Sequence, residues 1–170
     1  MPSILKERIK AMLLPGQIAG ELSPSERHLI DEEHARLEQF LEDLRDTCEN
    51  FGKQGNCFGC NRTQVATCQG RLNSFFYDFL DLVDAHFETE EKIMLGSLKA
   101  SNEDDFFKKH QAEHARLMAE VKDLMRESSI FSQQGNPSEA IYRLENKLVE
   151  LFGEHANAFD TPFLRATLRR

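Results

Sequence analysis

Apolar residues recur along the chain at intervals of three and four, the spacing that lines one face of an α-helix, and they do so in four separate runs. The first opens on Ser23, Pro24 and Glu26, a start signal with proline at the first helical position and an acid in the first turn. It continues through Ile30, Leu37, Leu41, Leu44 and Cys48. After Gly52, Gly55 and Gly59 a second stripe takes up Cys68, Leu72, Phe75, Phe76, Phe79, Val83, Phe87 and Met94, and Gly96 with Ser97 ends it. Asn102, Asp104 and Asp105 open a third run, with Phe106, Leu117, Val121, Leu124 and Met125 on its face and a polar stretch from Ser128 to Gly135 at its close. Asn136, Pro137 and Glu139 start the fourth, which carries Ile141, Leu144, Leu148, Leu151 and Phe152. Thr161-Pro162 bounds it, since a residue before proline avoids the helical region.

No stretch shows sustained strand-like alternation, so the predicted class is all-α. Four amphipathic helices of similar length with short connections predict an up-down-up-down antiparallel four-helix bundle, in which facing side chains are the usual seat of a metal site. Residues 1–22 are expected to form an N-terminal arm with Ile4, Leu5, Ile9, Met12 and Leu13 to one side. Residues 23–170 are expected to form the bundle, with a cysteine-rich loop over 48–68 between its first two helices.

A length of 170 residues suits one domain with a sizeable core. The formal net charge of -8 repels phosphate backbones, and no basic patch offsets it, so nucleic acid is not an expected partner. Pro15 and Gly16 break the apolar stretch Ala11 to Leu14 well short of a signal or membrane length, and the expectation is a cytoplasmic protein with no membrane partner.

Five of the six histidines, His34, His86, His110, His114 and His155, fall on or beside the apolar stripes; His28 lies near the start of the first helix. A lone inward histidine is ordinarily a hydrogen-bonded core residue. Here the spacing is more informative than any one residue, because His86 with Glu90, and His110 with His114, are each four apart and so share a helix face. Counted from the nearest helix end at ~1.5 Å per residue, His34, His86, His110 and His155 all lie roughly 9 to 15 Å from the same end of an alternating bundle. They form one layer. Asp160 follows His155 by five residues, which on a regular helix turns it about 140° away. It joins the layer only if the helix loosens, and Thr161-Pro162 is the expected place for that.

The segments IDEEHARL around His34, HFETEEKIM from His86, HQAEH from His110 and HANAFD from His155 closely resemble the bacterial hemerythrins, and together they match all seven ligand positions of that family in order. The resemblance implies two non-heme iron ions with an oxo or hydroxo bridge. His110, His114 and His155 would hold one, His34 and His86 the other, with Glu90 and Asp160 bridging. It further implies reversible binding of molecular oxygen at the five-coordinate iron, for storage, delivery or sensing, with a protein partner where signalling or delivery requires one. An enzyme is not expected. The alternative from a different class is a redox-, nitric oxide- or peroxide-responsive di-iron sensor or enzyme, with weak oxidase or peroxidase activity. Leu37, Phe87, Leu151 and Phe152 lie within about one turn of the implied ligands and are candidates for a dry oxygen pocket, ordinary core packing being the other account of each.

Cys48, Cys57, Cys60 and Cys68 fall outside that pattern. Cys48 lies near four whole turns after His34 and Cys68 near five before His86, so both should point to the ligand-bearing face at the other end of the bundle, roughly 20 to 27 Å from the histidine layer. Structural zinc, free or reversibly oxidised thiols, and an iron-sulfur cluster are the readings open to them.

Overall fold

The computed structural model of the chain describes residues 20–48, 57–161 and 164. The apolar stripe expected at Ile4 to Leu13 lies outside the described residues. Four α-helices account for most of the rest: α1 (Pro24–Asp46), α2 (Arg62–Gly96), α3 (Asp105–Gln133) and α4 (Pro137–His155), the last running directly into a π-helical turn, Ala156–Asp160. No strand occurs among the described residues.

Local chemistry accounts for each helix start. Ser23 caps α1 in a reciprocal box with Glu26, and Pro24 sits at the first position, where its missing N–H costs nothing. Asn136 and Pro137 repeat the logic at α4. The α2 start was expected near Cys68, where the apolar stripe resumes, but the helix begins at Arg62. Asn61 and Gln64 form a second capping box there, and the turns before Cys68 present no continuous apolar face that periodicity would reveal. Gly135, at φ 94°, stops α3 in the left-handed conformation that favours glycine. On α3 the buried phenylalanine is Phe107 and not Phe106, which is half-buried.

The pairing of ends fixes the topology. Glu26 near the start of α1 accepts a hydrogen bond from the Ser97 hydroxyl just past the end of α2, and Gln69 near the start of α2 donates to the Ser132 carbonyl near the end of α3 at 2.6 Å. The three-residue link 134–136 leaves α4 no choice but to double back on α3. Each helix therefore runs antiparallel to its sequence neighbour, and α4 closes the ring against α1.

Two apolar clusters fill the interior. The larger runs from Leu37 and Phe87 through Leu72, Phe79, Val121, Ile141 and Leu144 to Cys48 and Cys68. Its centre is aromatic: Phe75 stacks on Phe79 at 5.2 Å, and Phe152 meets Phe79 edge-on at 5.6 Å. The smaller, Ile30, Ile93, Met94, Leu98 and Phe107, closes the opposite end. Leu22 packs against it, and Gly20 approaches so near that a Cβ would run into the Ser97 carbonyl oxygen, so the described part of the arm is seated on the bundle. No helix among the described residues is long and apolar enough to cross a membrane. Polar side chains occupy the layer between the two clusters.

Candidate metal centre

All four helices contribute to that layer: His34 from α1, His86 and Glu90 from α2, His110 and His114 from α3, and His155 from α4, with Asp160 at the end of the π turn. Six of these are buried, and Glu90 is 0% exposed; His34 alone is half-buried. His28 lies outside, exposed, 3.5 Å from Glu32.

The seven side chains divide into two groups that share one member. Ligand atoms of Glu90, His110, His114 and His155 lie within 4.8 Å of one another, and so do those of His34, His86, Glu90 and Asp160. Each carboxylate sends one oxygen to each side. Glu90 Oε2 lies 3.2 Å from His110 Nε2 and 3.1 Å from His114 Nε2, while its Oε1 faces His86 Nε2 at 3.9 Å. Asp160 Oδ1 lies 2.9 Å from His155 Nε2, while its Oδ2 faces His34 Nε2 at 3.4 Å. Two cations bridged by two carboxylates need this distribution of oxygens.

Asp160 reaches the layer because the backbone changes pitch. In a π turn the hydrogen bond runs from residue i+5 to i, as in Thr161 N–H to the Ala156 carbonyl, so residue i+5 stands roughly where i+4 stands on an α-helix. The loosening expected at Thr161-Pro162 occurs over Ala156–Asp160 instead, between the two ligands it has to align.

Several polar atoms in the layer have no hydrogen-bond partner, although burial makes each one costly: Glu90 Oε1, Asp160 Oδ1, His34 Nε2 and both nitrogens of His155. His155 Nε2 and Asp160 Oδ1 are at contact distance, yet they are not aligned as donor and acceptor. Lone pairs that converge without pairing are what a bound cation would satisfy. Burial pushes the Glu90 carboxyl upward, but hydrogen bonds from His110 and His114 outweigh it and hold the group at about 2. Asp160 behaves alike: burial raises it, and His155 and His34 bring it below the usual carboxylate range. Burial lowers His34 and His114, while the carboxylates beside them, Asp160 for the one and Glu90 with Glu91 for the other, raise both on balance. The layer therefore draws positive charge, as protons or as metal.

Outer carboxylates orient two of the imidazoles. Glu33 lies 3.1 Å from His86 Nδ1 and accepts from the Thr89 hydroxyl; Glu91 lies 3.0 Å from His114 Nδ1 and accepts from Gln111. With Nδ1 committed to an outer carboxylate, Nε2 is the nitrogen that would turn its lone pair to a bound metal. These residues were not picked out from the sequence, although Glu33 precedes His34 and Glu91 follows Glu90, because an acid beside a ligand resembles any solvated helix face. Glu33→Ala is expected to weaken metal affinity about 10- to 100-fold with the fold intact, as read by competition with a chelator. Unchanged affinity would remove Glu33 from the support. Aromatic rings stack on two of the imidazoles: Phe87 on His114 at 3.9 Å and Phe159 on His155 at 5.5 Å.

A cleft of about 440 Å³ between α1 and α4 reaches the layer from one side. His34, His86, His155 and Asp160 form its inner end, and Leu37, Leu41 and Phe152 its apolar wall, while Glu38, Glu42 and the pair Arg45–Glu145 at 2.5 Å line its polar reach. Of the four pocket candidates from the sequence, Leu37 and Phe152 line the cleft. Phe87 lies instead against His114, and Leu151 packs half-buried against the larger cluster.

The four cysteines gather at the other end, where they line one small cavity. Burial pushes the Cys57 thiol up, against a hydrogen bond from the Ser138 backbone at the start of α4.

The family model described as Hemerythrin HHE cation binding domain matches residues 25–160, from the first turn of α1 to the last candidate ligand. No curated protein and no solved structure gives a significant match.

Proposed function

The chain belongs to the hemerythrin HHE cation-binding domain family, and from that membership we propose that its two ligand groups hold a pair of iron ions and that it binds molecular oxygen reversibly at one of them, for storage, delivery or sensing. His110, His114 and His155 would hold one ion, His34 and His86 the other, with Glu90 and Asp160 available to both. Bound there, the pair would supply the electrons that oxygen takes up and the coordination position it occupies. Five imidazoles and two carboxylates suit ferrous iron, and the two anionic bridges offset part of its charge in a low-dielectric core.

The observation that carries this reading is the asymmetry of access. Both histidines of the two-histidine group, His34 and His86, line the cleft together with Asp160, whereas of the three-histidine group only His155 does and His110 and His114 do not. A small ligand arriving through the cleft meets the side that has fewer protein ligands. There Leu37 and Phe152 present apolar surface, which limits the water and protons that would drive irreversible oxidation.

Phe152→Ala removes part of that wall and is expected to raise the autoxidation rate of the oxygenated protein about tenfold, a barrier change of about 1.4 kcal/mol. A rate equal to that of the parent protein would take Phe152 out of the pocket. The reading itself is tested by optical spectra of the reduced, iron-loaded protein without oxygen, with oxygen, and after oxygen is removed. The absorption gained on oxygenation should disappear on deoxygenation through repeated cycles. Oxygen consumed in one pass, or steady turnover of peroxide or an organic substrate, would make the protein an enzyme instead.

A further inference from the structure

The iron reading leaves the cysteines unused, and they sit where three helix ends meet. Cys48 follows the end of α1, Cys68 lies in the second turn of α2, and Cys57 takes the Ser138 backbone N–H from the first turn of α4. Cys48 and Cys68 are buried at the margin of the larger apolar cluster; Cys57 and Cys60 are half-buried. Between the latter two the chain makes a tight turn in which Cys60 N–H donates to the Cys57 carbonyl at 3.1 Å and Gly59 adopts φ 91°. That turn sets two thiols side by side, and the left-handed residue within it is a glycine, as the conformation demands. All four line a cavity of about 70 Å³, whose other walls are the first turns of α2.

We propose that Cys48, Cys57, Cys60 and Cys68 form a mononuclear zinc site with four thiolate ligands, a structural clamp on the end of the bundle opposite the histidine layer. Four sulfurs and no open position make a closed tetrahedral site, the structural arrangement for zinc and not the catalytic one. A cavity of about 70 Å³ has room for one ion among the four sulfurs. The thiols ring the cavity less tightly than the imidazoles of the other centre converge, so binding draws them inward onto the ion. Each thiol gives up its proton as its zinc–sulfur bond forms, and no electrons move. The clamp secures what the apolar core does not, because the 47–61 connection between α1 and α2 has few large apolar residues in its sequence. It does not depend on which metal fills the histidine layer.

The test uses the whole protein from cells grown with ample zinc and iron. Metal analysis should find one zinc per chain beyond the iron, resistant to thiol reagents under native conditions, and the double variant Cys57→Ser/Cys60→Ser should lose that zinc while keeping its iron. Replacing the zinc by cobalt(II) in the unmutated chain should give the visible bands and thiolate charge transfer of tetrahedral sulfur coordination, a readout that needs no variant to fold. Four thiols that react freely in zinc-saturated native protein would overturn the proposal. So would intramolecular disulfides in protein purified under reducing conditions, acid-labile sulfide in place of zinc, or a zinc content that survives the double substitution.

Discussion

Glu90→Gln is expected to abolish both iron sites together, dropping the metal content from two ions to below one per chain and eliminating the oxygen-dependent spectrum, while helical content stays near that of the parent. Glu90 is the residue common to both ligand groups, and its two oxygens face opposite sides of the layer. The amide matches the carboxylate in size but carries no charge, offers one acceptor atom and turns the other into a donor. That donor would point at His86 or at the His110–His114 pair, where a metal needs a lone pair. Removing one partner from a buried charge cluster costs about 3–5 kcal/mol, which corresponds to about two to four orders of magnitude in affinity. His34→Ala removes a nitrogen from one group only and should leave the three-histidine group able to hold an ion. Loss of a single ion in Glu90→Gln, measured by metal analysis beside His34→Ala, would show that the carboxylate does not bridge.

The second large effect concerns the π turn. Five α-helical residues would leave Asp160 about 140° from His155, whereas the wider turn of Ala156–Asp160 aligns them. Deleting Asn157 lets the segment continue as an α-helix with the aspartate four residues after the histidine, about 40° from alignment, so a carboxylate still faces the layer. Inserting one alanine after Asn157 instead puts the aspartate six residues after the histidine, about 120° from alignment on a regular helix. The insertion should therefore lose the bridge and most of the bound iron, a fall of at least about tenfold in affinity for about 1.4 kcal/mol or more. The deletion should keep both ions. The opposite ranking of the two variants in an iron-binding titration would mean that the π turn does not serve to aim Asp160.

The sequence resolves some parts of this structure and hides others for physical reasons. Helix starts with two coincident signals, such as Ser23-Pro24 with Glu26 or Asn136-Pro137 with Glu139, were legible because each cap chemistry acts within four residues. The histidine layer was legible because ligands must share a height and a face, and both follow from residue counts in a bundle with short turns. The extra turns of α2 before Cys68 were hidden because Arg62–Thr67 has a cap but no core-facing stripe. Glu33 and Glu91 were hidden because their partners, His86 and His114, lie across helix–helix contacts that no local pattern reports. The place of the loosening was set by a tertiary demand, bringing Asp160 alongside His155, and not by the proline that follows. Phe87 and Phe152 looked equivalent by distance along the chain, yet one faces an imidazole and the other a cleft, because they approach the layer from different sides.

All of these expectations rest on two adjacent but unequal metal positions, one offered three imidazoles and the other two, joined by a pair of carboxylates. Mössbauer spectroscopy of the anaerobic, iron-57-loaded protein, with the iron-to-chain ratio measured on the same sample, addresses that most directly. Two irons per chain, giving two distinct ferrous doublets of equal area whose parameters change on oxygenation, is the predicted result. One iron or fewer per chain, or a spectrum that oxygen leaves unaltered, would contradict it.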